Sequence, residues 1–246
     1  MRESLCCPLR LNWLPTCAAE RMGGQRIHTL RMHDVDSIEG AFEQATSAEG
    51  MVAGMVRLRA EGLIEEASFG MNANDEHHTV TAGTGGLQET AWSADAIIDL
   101  IEAVPPGSFD TALLAYSFNL FSQDGWPVIE ACHAAGIRVH VAGIWSGLHH
   151  TNAGGTGVRD AALREGQARM EGWAELAGEH GCSLPAVAVA FAALPAAVDK
   201  VVMGMKTVAE VEANVAAAAE AGEVPSEIWR QAQARGLLPP HLPLPG

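Results

Sequence analysis

Short apolar runs and longer segments of helical period alternate along this chain from about residue 21, and no strand-like run follows another directly. That alternation is the strongest constraint on its fold. A strand followed by a helix returns parallel to itself, so repeated strand–helix pairs build a parallel sheet covered by helices. Ile27–His33, Leu63–Phe69, Asp110–Tyr116, Ile137–Ala142 and Val198–Met203 read as strands. A helix is predicted over Ala48–Glu61, where Met51, Val52, Met55 and Leu58 keep helical spacing, and another over Ser93–Val104 with Ser93 as its N-cap. Further helices are expected from about Gln123 to Ala135, stopped by Gly136, and over Arg159–Gly181, Pro185–Leu194, Thr207–Glu220 and Ser226–Arg235. The tail Gly236–Gly246, rich in proline, reads as extended or disordered. The sequence thus divides into an irregular segment over 1–20, a folded body over 21–238 and a Pro-rich tail over 239–246. Five strands fit a doubly wound sheet. The length of 246 residues fits a (β/α)8 barrel, for which about 250 is usual, but three strands are then missing.

Composition narrows the function. Thirty acidic residues face 15 basic ones, a formal charge of −15, and Lys200 and Lys206 are the only lysines. A nucleic-acid partner is therefore not expected, because cations to neutralise phosphates are scarce. No apolar run approaches the ~18 residues of a membrane span. Arg10 and Asn12 interrupt any apolar core of a signal peptide near the start. Cys6, Cys7, Cys17, Cys132 and Cys182 form an odd, scattered set with no C-x-x-C, so neither a disulfide framework nor a zinc site is indicated. A cytoplasmic α/β protein is expected.

Several nucleotide and catalytic motifs are absent. There is no G-x-G-x-x-G after a strand and no P-loop; Gly83-Thr84-Gly85-Gly86 opens no helix and reads as a loop. In Gly143-Ile144-Trp145-Ser146-Gly147 the serine falls one residue late for a hydrolase elbow. This stretch is either a turn whose N–H groups meet an anion or a plain strand exit. The pairs His77-His78 and His149-His150 are sequence neighbours, whose side chains point apart, so no metal site is expected there.

The ends of the predicted strands are more informative, since ligands of parallel α/β folds gather there. His33 ends the first strand, where a donor can polarise a carbonyl; the alternative is a packing or capping histidine. Asn72 follows the second, and its amide suits a planar carboxamide or a simple turn. Phe118 follows the third, where a flat ring stacks on a heteroaromatic cofactor or packs in the core. Gly204-Met205-Lys206-Thr207 opens a helix after the fifth, placing a lysine and an N-cap threonine where anions are attracted.

Read in order, Arg21-Met22-Gly23-Gly24-Gln25-Arg26-Ile27, His33-Asp34, Gly70-Met71-Asn72, Leu113 to Phe121, and Gly204-Met205-Lys206-Thr207-Val208 with Glu210, Val211 and Asn214 resemble the aldo-keto reductases. Among these, the D-threo-aldose 1-dehydrogenase branch, which includes L-fucose and L-galactose dehydrogenase-like enzymes, is the most similar. The resemblance covers about residues 18–238. It implies a (β/α)8 TIM barrel that binds NAD or NADP and acts on a small sugar or carbonyl substrate. His33 then matches the histidine that orients the substrate carbonyl, Asn72 the carboxamide-binding asparagine, and Phe118 the ring on the nicotinamide. Ile144, Trp145, Ser146, Gly147 and Leu148 match the loop over the pyrophosphate. Lys206 and Thr207 match residues at the adenosine phosphate, and Glu210 and Asn214 those near the adenine. The family's catalytic tyrosine, aspartate and lysine belong to earlier segments, and Tyr116, the only tyrosine, does not match that motif. The resemblance therefore implies an incomplete barrel, about the last five β/α units plus a C-terminal helix, whose activity is impaired or lost. Open sheet edges then favour self-association. The alternative is a non-catalytic remnant that binds a dinucleotide or a protein partner.

Overall fold

The computed structural model describes residues 23, 27–33, 35, 40–72, 94–145 and 158–244, with the side chains of Asn72 and of 158–165 excepted. The elements run β1 (Ile27–His33), α1 (Ala41–Thr46), α2 (Met51–Ala60), β2 (Ile64–Asn72), α3 (Ala94–Ala103) and β3 (Thr111–Ala115). They continue with α4 (Trp126–Ala134), β4 (Arg138–Ala142), α5 (Val158–Glu179), α6 (Leu184–Ala192), β5 (Val198–Val202), α7 (Val208–Ala221) and α8 (Glu227–Ala234). The strands form one parallel sheet in the order β1-β2-β3-β4-β5. A doubly wound sheet reverses direction at a switch point, and this sheet does not. Its sequential order is that of a TIM-barrel-like fold.

The expected helix over Ala48–Glu61 is α2, Met51–Ala60, and a short helix that was not expected, α1, precedes it. Ser47 is extended (φ −63°, ψ 159°) and ends α1. Gly50 then turns so tightly that a Cβ on it would lie 2.1 Å from the Gln44 carbonyl oxygen, so only glycine passes. Gly136 does stop a helix: it adopts φ +71°, and the Ile137 N–H returns to the Cys132 carbonyl at 2.8 Å. The strand expected to reach Tyr116 ends one residue earlier, because Tyr116 has φ +67° and leaves the pleat. The tail is also more ordered than its prolines suggest. Leu237, Leu238 and Leu242 are buried, and the Gln233 amide donates to the carbonyls of Pro239 (3.0 Å) and Leu242 (2.9 Å).

The chain divides into two compact units, one of residues 1–114 and 127–139, the other of 115–126 and 140–246. In the first, Val52, Met55 and Leu58 of α2, Ile64 and Phe69 of β2 and Ile97 and Leu100 of α3 are buried. Burying each such side chain contributes about 1.5–3 kcal/mol. Phe69 meets Phe109 edge-to-face at 4.9 Å. Asp110 accepts the Ala67 N–H at 2.8 Å and pairs with Arg59, which pins the start of β3 to β2 and α2. In the second unit Phe118 stacks on Phe191 at 4.9 Å, and Phe191 meets Trp229 of α8 at 5.8 Å. Arg169 of α5 donates to the carbonyls of Phe121 (2.8 Å) and Leu237 (2.9 Å), tying the loop after β3 to the chain beyond α8.

Candidate functional site

His33 closes β1 and is exposed, with Gly70 as its partner across the parallel register. Residues two apart on a strand share a face, so Thr29 and Arg31 point the same way as His33. The register pairs them with Glu66, Ser68 and Gly70 of β2. Thr29 Oγ1 donates to Glu66 (3.0 Å), and Arg138 of β4 pairs with the same carboxylate. Burial pushes the Glu66 carboxyl up, but the bonds from Arg138 and Thr29 and the charges of Arg138 and His28 outweigh it, holding the group below its ordinary range. Above this layer, Arg31 Nε donates to Ser68 Oγ at 3.0 Å, and that hydroxyl donates to the Thr111 carbonyl at 2.9 Å. Burial pulls the Arg31 guanidinium below its ordinary value, and Glu66 opposes that pull. At the top, a Cβ on Gly70 would lie 2.7 Å from Arg31 Cδ and 3.4 Å from His33 Cδ2. Both side chains therefore crowd the place that a side chain at Gly70 would take.

Asn72 is the last residue of β2; its side chain lies outside the described residues. After β3, Phe118 is only 1% exposed, with its ring stacked on Phe191 and beside Trp126 at 6.0 Å. Tyr116, by contrast, is 39% exposed. Its N–H donates to the Ala142 carbonyl at 3.0 Å, and its ring lies so close to Gly143 that a Cβ there would come within 2.4 Å of it. Asn119 is buried and fixes this loop: its Nδ2 donates to the Tyr116 carbonyl at 2.9 Å, and its Oδ1 accepts the Phe121 and Ser122 N–H groups at 2.8 and 3.1 Å. The left-handed Tyr116 backbone and its exposed ring are thus held from both sides.

Ile144 is buried and Trp145 half-buried just beyond β4. Ser146, Gly147 and Leu148 fall outside the described residues, as do Gly83–Gly86 and both adjacent histidine pairs. Beyond β5, Lys206 is exposed and Thr207 is the N-cap of α7, its Oγ1 accepting the Glu210 N–H at 3.2 Å. The Glu210 carboxylate reaches back and accepts the Lys206 N–H. Thr207 thus satisfies one of the first N–H groups of the helix, while Glu210 satisfies that of Lys206, just before the cap. Asn214 lies one turn further along α7 and is half-buried.

The geometry thus gathers His33, Arg31 and Gly70 in one place, Tyr116 and Gly143 in a second, and Lys206, Thr207 and Glu210 in a third. Arg31 and the ring of Tyr116 were not singled out from the sequence, and Gly143 only as the first residue of the stretch after the fourth strand. Period-two spacing from His33 points to Arg31, and a glycine directly after a strand points to Gly143. Nothing in the sequence distinguishes the exposed ring of Tyr116 from the buried ring of Phe118. Among the described residues, no group of three or more His, Cys, Asp or Glu side chains is placed to hold a metal ion. No described helix is long and apolar enough to cross a membrane.

Among solved structures, the chain is similar to the aldo-keto reductase AKR11C1 from Bacillus halodurans. The holo form gives a TM-score of 0.55 at 15% identity over 87% of this chain and 65% of that one. The apo form gives 0.58 at 16% identity over 92% of this chain and 68% of that one. The chain therefore spans about two thirds of that enzyme's length. At such low identity the likeness concerns the fold. No curated protein matches the sequence. The Aldo/keto reductase family itself matches residues 18–233, nearly the whole chain from before β1 to the last turn of α8. On that match, and on a sheet whose strands follow one another in order, the chain belongs to the aldo/keto reductase family of oxidoreductases.

Proposed function

We propose that this chain is an NAD(P)-dependent oxidoreductase for a sugar or other small carbonyl compound, of the D-threo-aldose 1-dehydrogenase type, with impaired turnover. One observation supports this most: the family match runs through His33, which ends a parallel strand where ligands of such folds gather. Aldo/keto reductases generally use NAD(P)H, whose reduced form would supply the hydride to a carbonyl and whose oxidised form would accept it from an alcohol. Two features of the chain fit such a dinucleotide. Tyr116 presents an exposed flat ring on which a heteroaromatic ring can stack, a surface that the buried Phe118 does not offer. Lys206 places a cation at the N-terminus of α7, which suits a phosphate. Asn72 is assigned to the carboxamide, Ile144 to Leu148 to the pyrophosphate, and Thr207, Glu210 and Asn214 to the adenosine end.

His33 donates a hydrogen bond to the substrate carbonyl. We assign proton transfer to the alkoxide oxygen to the same imidazole, which can carry the proton. Loss of a dedicated general acid slows a reaction by about 10²–10⁴. The cytoplasm is the proposed location, in keeping with a scattered, odd set of cysteines. We also assign self-association to the open edge at β5.

Calorimetric titration with NAD and NADP tests the cofactor part. The unaltered chain should bind at least one dinucleotide, and Tyr116→Ala and Lys206→Ala should each weaken it by about tenfold. Failure to bind either at millimolar concentration would rule the reading out. Oxidation of L-fucose or L-galactose at about 1 s⁻¹ or faster would contradict the impaired turnover.

A further inference from the structure

Among the described residues, Tyr116 is the one other than glycine with a left-handed backbone, at φ +67°. That conformation is costly for an aromatic residue, whereas glycine adopts it freely. Residues held this way persist only where their surroundings over-determine them, and they gather at active sites and ligand clamps. An extended residue 116 would continue the pleat of β3. The left-handed turn instead leads the chain across to β4, where the Tyr116 N–H donates to the Ala142 carbonyl at 3.0 Å. The ring then lies against Gly143, which has no side chain to keep it away: a Cβ there would come within 2.4 Å of the ring's Cδ1. With that contact made, Tyr116 is still 39% exposed.

The remaining hold on Tyr116 comes from Asn119, three residues on and 1% exposed. Its amide is used at both ends. Oδ1 accepts the Phe121 and Ser122 N–H groups at 2.8 and 3.1 Å, a side-chain turn that aspartate makes as well as asparagine. Nδ2 donates to the Tyr116 carbonyl at 2.9 Å, a bond that an ionised aspartate cannot make. The Asn119 main chain is itself fixed, by its N–H on the Ser122 carbonyl at 2.8 Å and by Gln123 Nε2 on its own carbonyl at 2.7 Å. The acceptor half of the amide therefore builds the loop, and the donor half reaches back to the strained residue. We propose that Asn119 is a positioning residue for the stacking ring: its Nδ2 holds Tyr116 left-handed and so keeps the ring at the end of β4 in the attitude that receives a flat heteroaromatic ring. It touches no ligand itself and takes no part in hydride or proton transfer. The proposal deepens the dinucleotide reading above and rests on Tyr116 as the stacking surface.

Tyr116 is the only tyrosine in the chain, so fluorotyrosine incorporated in place of tyrosine gives one fluorine NMR signal, from this ring alone. In the unaltered chain the signal should shift when NAD or NADP binds. Asn119→Asp keeps the turn and removes the donor. It should move the signal of the unliganded ring toward that of free fluorotyrosine. It should also weaken dinucleotide binding by about fivefold or more, since only part of the population then presents the ring. In a Tyr116→Ala background the same substitution should change binding by less than about twofold, because no ring is left to position. Asn119→Ser, whose single hydroxyl can serve the turn but not Tyr116 as well, should behave as Asn119→Asp does. A signal and an affinity unchanged by both variants, or an equal loss of binding with and without the ring, would overturn the proposal. So would a chain that neither variant lets fold, which would assign Asn119 to stability alone. A dinucleotide that binds without moving the Tyr116 signal would instead remove the stacking reading, and binding of neither dinucleotide the cofactor reading, so each failure is distinguishable from one at Asn119.

Discussion

Glu66 shows how a single side chain couples local electrostatics to stability. Burial raises its proton affinity, yet Arg138, Thr29 and His28 together lower it below the ordinary value near 4.5. A carboxyl whose folded value is depressed stabilises the fold above its unfolded value, and that contribution is lost as pH falls through the folded value. The stability gap between the unaltered chain and Glu66→Gln should therefore be full at pH 7 and close progressively below about pH 4.5. Urea denaturation of both proteins between pH 3 and 7 measures it. A gap that widens on acidification would show that the bonds to Glu66 do not outweigh its burial. At this scale the sequence was only partly legible. His33 could be placed because strand ends collect ligands, but Arg31 looked like one charge in an apolar run. Its partners, Ser68 and the Thr111 carbonyl, lie on strands far away in sequence, and only the register of β1 against β2 brings them into view. Phe118 and Tyr116 were indistinguishable for a related reason: which ring is buried depends on the left-handed turn at Tyr116 and on Phe191.

Helices and strands were easier to read than their contacts, because hydrophobic period and caps are local. Thr207 illustrates both the strength and the limit of local reading. It was recognisable as an N-cap, and its hydroxyl does accept the Glu210 N–H. The sequence did not show that the Glu210 carboxylate would fold back over the start of α7 to accept the Lys206 N–H. That carboxylate is held at the Lys206 backbone, just ahead of the N-terminus of α7. Two opposite results follow at this element. Thr207→Ala should destabilise the protein by about 1 kcal/mol, lowering the thermal midpoint by a few degrees. Glu210→Gln removes a negative charge beside Lys206 and should strengthen dinucleotide binding severalfold, more so at low salt. Calorimetric titration of the second variant at two ionic strengths is the measurement; weaker binding would mean that the charge of Glu210, and not only its oxygen atoms, serves the adenosine end. The helix expected over Ala48–Glu61 forms over Met51–Ala60, and what the sequence did not show is the short α1 before it, set off by a turn at Ser47 and Gly50 whose tightness is fixed by the Gln44 carbonyl.

At the scale of the whole molecule, the alternation of strand and helix was enough to give a parallel sheet, and the family resemblance its sequential order, but neither says what lies beyond its edges. β5 is the last strand in that order, and it is poorly covered: Val202 is 43% exposed. The helix that follows adds an apolar stripe. Val208, Val211 and Val215 recur at i, i+3 and i+7 on α7 and are 74%, 43% and 63% exposed. Residues at that spacing share one helix face, and such a face normally packs against a neighbour. An edge strand beside an uncovered apolar helix face is a template for another chain. A second copy of this protein is the occupant assigned here, because the opposite edge strand β1 carries His28, Arg31 and His33 and no acid, whereas α7 carries Glu210, Glu212 and Glu220 and no base. Such head-to-tail pairing of unlike edges does not close on itself as a two-fold dimer does, so assembly should extend with concentration. Light scattering from about 1 to 100 µM should show the mean mass rising continuously, and the rise should weaken with added salt. Val208→Glu combined with Val215→Glu alters exposed side chains only and should leave the thermal midpoint unchanged while holding the protein monomeric. A mass that stays at one chain for the unaltered protein, or one that stops at two, would remove the head-to-tail assignment.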